Sequence, residues 1–462
     1  MLSKLQLRNV GPLPDGSYKF ARRINALTGD NGLGKTFLLD LVWFAFTNDW
    51  PAMANPAMMT GYMAQPGVAG RPASITFDIQ NQSRTKLVGY TAKFDRGTQK
   101  WKGRTIPPAD AGIAIYSLSD GSFCVWDPVR NGFKNKADNP NYDPSFAFTE
   151  NEIWNGQDKH DRSPGGGNRM IRLLQGLLVD WRLWQTDPES KEFPALKRFL
   201  ASISAENMKI GIGIPRKTSL SDVRDVPTLR LPYGEVPVLW ASAAFRRILT
   251  LAYILVWAYS EHVKASEFVG KKPCRQIALL VDELDAHLHP KWQRAIMPSL
   301  MTAVEQLASS FGGDISDGER CDVQIFMSTH SPLVMASMED LFDVKKDRWF
   351  DFDCTGNCRE IVCEERVLER RGGADEWLKS EAFDLSSTRS LKVEELLNHA
   401  ADLLDSILSQ GLTARKMRED LGVLPIDELK STYAELMRLL PPTDRFLSRF
   451  RLLCAMCDLE VE

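Results

Sequence analysis

No apolar run in this sequence is long enough to cross a bilayer. The longest, Ile248 to Tyr259, falls well short of the roughly 20 residues that a membrane helix needs. The first residues show no charged segment leading into an apolar signal core, so the sequence reads as cytoplasmic. Cysteine is scarce, eight in 462 residues. That is too few for a disulfide framework, and reduced thiols are the expectation in such a compartment. Histidine is scarcer, with six in all and none in an H-N-H arrangement, so an HNH nuclease within the chain is not expected. Excess positive charge is lacking too: the formal net charge of −3 removes any bulk electrostatic argument for nucleic-acid binding, although a local basic patch is compatible with it. There is no internal repeat, no low-complexity tract and no long heptad arm. What remains, 44% hydrophobic and 25% charged, is ordinary globular composition with length for two or three domain-sized units.

Against this background one octapeptide stands out. Gly29-Asp30-Asn31-Gly32-Leu33-Gly34-Lys35-Thr36 fits G-x-x-x-x-G-K-[ST]. Ile24 to Thr28 before it reads as a buried strand, and Phe37 to Phe46 after it has helical apolar spacing, which is the strand, loop and helix order the motif requires. Its glycines let backbone N–H groups converge on phosphates, and the helix N-terminus adds positive potential. Lys35 would reach the β and γ oxygens, and Thr36 would offer its hydroxyl to Mg²⁺, with Phe37 next in line. ATP or GTP is the first ligand to expect.

Strands are expected at Leu2 to Leu7, between the Gly11-Pro12 turn and the phosphate loop, at Ala73 to Ile79, at Lys86 to Phe94 and at Ile113 to Ser117. From Asp120 to Asn168 the chain is dense in Asn, Asp, Gly and Pro, and reads as long loops with a short strand at Phe123 to Trp126. Helices are expected over Arg169 to Trp184 and Pro194 to Met208, the first with a core stripe of Leu173, Leu174, Leu177, Leu178, Trp181 and Trp184. The tail from Ser386 onward repeats Leu, Ile and Ala at three- and four-residue steps and is expected to be helical. Cys354, Cys358 and Cys363, on a hairpin pattern, and Cys454 and Cys457, on a helical one, have spacings that could hold zinc, although structural cysteines fit them better.

Ile277 to Val281 is a continuous apolar strand ending in Asp282-Glu283. That form suits a Walker B motif in a parallel sheet, with Asp282 holding Mg²⁺ and Glu283 polarising the attacking water. The following Leu284-Asp285-Ala286-His287-Leu288-His289-Pro290 resembles the D-loop of ABC-type ATPase heads in the group of OLD, RecF and SMC proteins. Val323 to Pro332, another buried strand ending in Ser328-Thr329-His330, resembles the H-loop, in which His330 would contact the γ-phosphate. Ala241 to Arg247 resembles the ABC signature: Ser242 is kept, while Ala244 and Arg246 stand at the glycine and glutamine positions. In ABC heads that serine meets the nucleotide of the opposing subunit. The extra methyl at Ala244 is expected to weaken the closed dimer or slow turnover. Gln65 and Gln80 are both candidates for the Q-loop.

The resemblance implies an α/β fold, a P-loop NTPase head of ABC type with a mixed β-sheet and flanking helices, a long insertion and a helical C-terminal tail. Its parts would be residues 1–117 (Walker A), 118–224 (insertion), 225–370 (signature, Walker B, D-loop and H-loop) and 371–462 (assembly or partner region). Gly373 to Leu378 with Phe383 to Ser390 resembles a segment of OLD-like ATPases in bacterial defence systems, including the PtuA subunit of Septu and of some retrons. Such subunits oligomerise and hold a separate toxic effector. By implication this chain would bind ATP and Mg²⁺ in a head-to-tail dimer or higher oligomer. It would serve as sensor and scaffold for a separately encoded nuclease of HNH or TOPRIM type, under a phage-derived trigger. Asp351-Phe352-Asp353 is an isolated D-x-D on the head's hairpin, so no nuclease site of its own is expected. A RecF-like clamp on DNA and a static ATP-bound scaffold are the alternatives.

Overall fold

The computed structural model describes residues 1–80, 87–103, 112–132, 141–163, 168–203, 210–311, 321–355, 360–383, 385, 387, 389–409 and 426–456. Two compact units divide the chain, Met1–Trp377 and Leu378–Glu462.

The first unit begins with β1 (Leu2–Arg8), β2 (Gly16–Lys19), β3 (Ile24–Gly29), α1 (Lys35–Thr47), α2 (Pro51–Ala54), β4 (Ser74–Gln80), β5 (Leu87–Asp95) and β6 (Lys100–Lys102). It continues through β7 (Ile113–Ser117), β8 (Phe123–Trp126), β9 (Phe146–Phe148), α3 (Glu150–Asn155), β10 (Gln157–His160), β11 (Met170–Leu174), α4 (Leu177–Thr186) and α5 (Glu192–Ile203). After β12 (Gly211–Ile212), β13 (Thr228–Leu231) and β14 (Gly234–Pro237) come α6 (Ala243–Phe268), β15 (Gln276–Val281), α7 (Pro290–Glu305), α8 (Leu307–Ser310) and β16 (Asp322–Ser328). It closes with α9 (Pro332–Met338), β17 (Asp347–Thr355), β18 (Glu360–Arg366) and α10 (Ala374–Leu378).

The architecture is mixed α/β, as the motifs implied. An eight-stranded sheet runs in the order β18-β17-β3-β16-β15-β7-β8-β9. Its centre, β17 to β7, is parallel, with antiparallel edges. Every residue of β7 and β15 is buried, which is why those strands, apart from Ser117 and Gln276 at their ends, run apolar instead of alternating. A second, antiparallel sheet runs β2-β1-β4-β5-β6 and alternates buried with outward residues. Helix α1 lies within the core that the two sheets share: Leu38, Leu39, Leu41, Val42, Trp43, Phe44, Ala45 and Phe46 join Leu5, Ile75 and Phe77 with Tyr116, Leu280 and Phe326. A helix apolar all round belongs in such a place, and its large side chains each contribute about 1.5–3 kcal/mol by leaving water.

Three regions depart from expectation. Within the 118–224 span, β8 and β9 continue the central sheet beyond β7, so this part completes the head. Met170 to Leu174 is a strand paired with β10, where a helix was expected from Arg169. Gly176, at φ 92°, separates it from α4, and a Cβ there would stand 2.4 Å from the Gly156 nitrogen. Residues 371–377, read with the tail, pack on the first unit: Trp377 is buried edge-on to Trp349 at 5.6 Å and donates to Glu339 at 2.6 Å. Met208 and the Pro164-Gly165-Gly166-Gly167 run lie outside the described residues.

The second unit is helical, with α11 (Leu391–Ser409), α12 (Ile426–Leu439) and α13 (Arg445–Met456). Its core gathers Val393, Ala400, Leu404, Tyr433, Leu436, Leu447 and Phe450, with Tyr433 stacked on Phe450 at 5.8 Å. No helix among the described residues is long and apolar enough to cross a membrane.

Candidate nucleotide site

Sheet order assembles the site. Strand β16 lies between β3 and β15, all three parallel, so the phosphate loop after β3, Asp282 and Glu283 after β15, and Ser328 to His330 at the end of β16 emerge side by side. Carboxyl ends of parallel strands are where such sheets bind ligands. Asn31, Gly32, Gly34, Lys35, Thr36, Phe37, Asp282, Glu283 and His330 line one cleft of about 360 Å³ with Pro12, Asp40 and Ser328.

The loop takes the shape its glycines permit. Gly29, Gly32 and Gly34 have φ of 118°, 80° and 95°, a region that L side chains rarely adopt. At Gly29 space is limiting as well: a Cβ would meet the Phe352 carbonyl oxygen at 2.0 Å. Lys35, almost wholly buried, donates to the carbonyls of Gly29 at 2.8 Å and Asp30 at 2.7 Å. Burial lowers its pKa, against the opposing pull of Asp282, Asp30 and Glu283.

Asp282 is 1% exposed, and both its oxygens are engaged by hydroxyls: Thr36 Oγ1 donates at 2.8 Å and Ser328 Oγ at 2.6 Å. Hard oxygen donors from Thr36 and Asp282, side by side in a phosphate cleft, fit Mg²⁺. Ser328 Oγ also accepts the backbone N–H of Glu283 at 2.7 Å, where the chain turns through φ 50°. Asp285 accepts from Thr329 Oγ1 and from the backbone of His330, which fixes the base of the histidine loop. Burial first and Lys35 second hold the His330 pKa below its ordinary value, so the imidazole is neutral at pH 7.

Ser242 is placed elsewhere. It is the N-cap of α6 and exposed, and its hydroxyl makes no cap hydrogen bond. Its neighbours Ala241 and Ala243 border a separate cleft of about 450 Å³ with Arg246, Arg247, Asp120, Glu150 and His287. Gln65 stands beside the Walker cleft without lining it: its carbonyl accepts from Gly11 at 2.7 Å. Gln80 ends β4, its backbone paired with Met1. In the D-x-D, Asp351 is buried and accepts from Thr28 Oγ1 at 2.7 Å, while Asp353 is exposed. Cys354 is disulfide-bonded, against the expectation of reduced thiols, and Cys363 is a free thiol. No metal-holding cluster of His, Cys, Asp and Glu occurs among the described residues. Cys358 and Cys457 lie outside them.

Four residues that motif reading did not single out belong to the site. Ser328 joins the two acidic-strand positions; a hydroxyl two residues before His330 on a buried strand was its only signal. Ser117 accepts the Asp282 N–H at 2.8 Å through its carbonyl. Arg247 donates to the carbonyls of Leu118 at 2.8 Å and Asp282 at 3.1 Å, tying the start of α6 to the acidic strand. Asp40, one helical turn after Thr36, lines the cleft and accepts from Tyr116 at 3.0 Å. Burial pushes its pKa up to about 8, the Tyr116 hydrogen bond opposes this, and Asp282 adds to it.

That shift has a sign. Because Asp40 holds its proton more tightly in the fold than in the unfolded chain, the stability it contributes is complete at acid pH and is lost as pH rises through about 8. Asp40→Asn is therefore expected to raise the melting temperature of the nucleotide-free protein more at alkaline than at acid pH. Calorimetry at both would check it, and an equal shift would show that the Asp40 pKa is the same in the folded and unfolded chain.

Residues 24–336 match the family model described as "AAA domain, putative AbiEii toxin, Type IV TA system". The chain belongs to this AAA-domain family. Its phosphate loop and acidic strand are thereby those of a P-loop ATPase family. Among curated proteins, a retron Vc95 probable ATPase of Vibrio cholerae serotype O1 biovar El Tor is 38% identical over 60 residues, a stretch that spans 13% of this chain and 9% of that protein. Among solved structures, an SMC head domain from Thermotoga maritima has a TM-score of 0.35 at 13% identity, covering 79% of this chain and 99% of its own. An SMC head with an extended coiled coil bound to the C-terminal domain of ScpA, derived from Pyrococcus furiosus, scores 0.38 at 13% identity, covering 79% and 96%. The recombination mediator RecF scores 0.34 at 12% identity, covering 76% and 95%.

Proposed function

We propose that this AAA-family chain binds and hydrolyses ATP as a cytoplasmic subunit of a bacterial antiphage complex, a sensor and scaffold that controls a separately encoded nuclease. The observation that carries the reading is the division of labour within one chain. Lys35, Thr36, Asp282, Glu283 and His330 share a cleft, while Ser242 faces outward beside another. An exposed, uncapped helix N-terminus apart from its own phosphate loop suits contact with the nucleotide of a second copy. In this reading the subunits pair head to tail around two nucleotides.

The chemistry follows from the side chains. On binding, Lys35 exchanges two neutral carbonyls for anionic phosphate oxygens, a stronger partner for an ammonium group. Thr36 and Asp282 would hold Mg²⁺, which would supply positive charge against the phosphate oxygens. Glu283 accepts a proton from the attacking water, and neutral His330 directs an N–H at the γ-phosphate. Arg247 keeps the start of α6 and the acidic strand in register while these groups act.

The test is the native mass and protein content of the complex purified through this chain from its own operon. Several copies together with a nuclease or other toxic protein support the reading. A bare monomer overturns it, and ATP retained for hours without product reduces the chain to a static scaffold.

A further inference from the structure

The outer face of the antiparallel sheet concentrates cations in a chain whose formal net charge is −3. Antiparallel register aligns Arg8, Ser74, Lys93 and Lys102 in one row across β1, β4, β5 and β6. A second row sets Lys19 opposite Lys4, with Asp78 beyond. Lys100 extends the face opposite Asp95. Asp78 and Asp95 are the carboxylates of this face among the described residues of its five strands, and of these cations Lys102 forms an ion pair, with Asp95. Like charges directly opposite each other weaken a sheet. Here that happens twice, at Lys4 with Lys19 and at Lys93 with Lys102, on a surface with no packing reason to require it.

We propose that this face binds the phosphodiester backbone of double-stranded nucleic acid without reading its sequence. Between the cationic rows lie hydroxyl and amide groups, Ser17, Gln6, Thr76 and Thr91, which are donors of the kind that phosphate and sugar oxygens accept. The aromatic residues of these strands turn the other way: Tyr90 and Trp101 pack against the core. A surface with cations and hydroxyls but no outward aromatic offers nothing for unpaired bases to stack on, which favours a duplex over a single strand. Leu87, at the start of β5, is the exposed large apolar side chain of this face among the described residues of its strands, too little to insert among lipids. The site lies apart from the nucleotide cleft and does not rest on the function proposed above.

The test is fluorescence anisotropy of a labelled mixed-sequence DNA duplex with the full chain, measured across salt concentrations. The wild type is expected to bind at low salt with a log–log slope of about −5, since about six neutralised phosphates contribute ~0.9 each. Replacing Lys4, Arg8, Lys19 and Lys93 by Gln is expected to cut the magnitude of that slope by about 4 and to weaken binding at least tenfold, with ATP affinity unchanged. If the quadruple variant misfolds, as loss of ATP binding would reveal, the single Arg8→Gln and Lys93→Gln proteins must each lower the slope by about 1. Three outcomes overturn the proposal: no duplex binding by the wild type at low salt, an unchanged slope in the variants, or displacement by polyglutamate as effective as by unlabelled duplex. The last would make the partner an acidic protein.

Discussion

Lys35→Ala is expected to abolish measurable ATP binding, lowering affinity by roughly two to four orders of magnitude, the equivalent of losing two charge-assisted hydrogen bonds at about 1.5–3 kcal/mol each. The ammonium sits at the mouth of the loop, nearly buried, already pointed at the space where phosphates would lie and held there by the Gly29 and Asp30 carbonyls. Among the described residues, no other Lys or Arg lines that cleft. Titration calorimetry with Mg·ATP measures the effect. Affinity within threefold of wild type would remove the loop from its role. Where the chain protects cells against phage, protection should disappear with binding.

Glu283→Gln should separate binding from chemistry. The substitution keeps the shape of the side chain and removes its basicity, so turnover is expected to fall by about 10²–10⁴, the usual contribution of a positioned base, with ATP affinity retained. The backbone there is fixed independently of the side chain, because Ser328 Oγ accepts the Glu283 N–H at 2.7 Å. A loss of activity therefore reports chemistry and not a displaced loop. Single-turnover phosphate release is the measurement, and unchanged hydrolysis would transfer the base role to another group. The variant should also hold ATP long enough for the head-to-tail dimer to appear in native mass.

Much of the site was legible because each motif is contiguous in the chain. The phosphate loop declares itself through glycines at positions where φ is positive, and the acidic strand through an apolar run that only a strand buried on both faces explains. Misreading occurred where periods coincide. In Leu173, Leu174, Leu177 and Leu178, apolar spacing mimics a helix across a strand end, a glycine turn and a helix start. Between Asp120 and Asn168, loop-rich composition left Phe123 to Trp126 legible but concealed β9, whose stability comes from pairing with β8 and not from local preference. In the sequence, Asp40 is one polar residue within the apolar run Phe37 to Phe46. Only the arrival of Tyr116 from another strand shows what it faces.

By itself, then, the sequence determined the kind of fold and the residues proposed to react, since strand, loop and helix signals are local and their chemistry travels with them. The tertiary structure decided what meets what. Inserting β16 between β3 and β15 brings Ser328 against Asp282, 46 residues away in the chain, and Thr36 against the same carboxylate across 246. It also decided that Ser242 stands outside that cleft, and that lysines and an arginine scattered over four strands share one face. Register and sheet order depend on long-range hydrogen bonding and core packing, which no local pattern encodes.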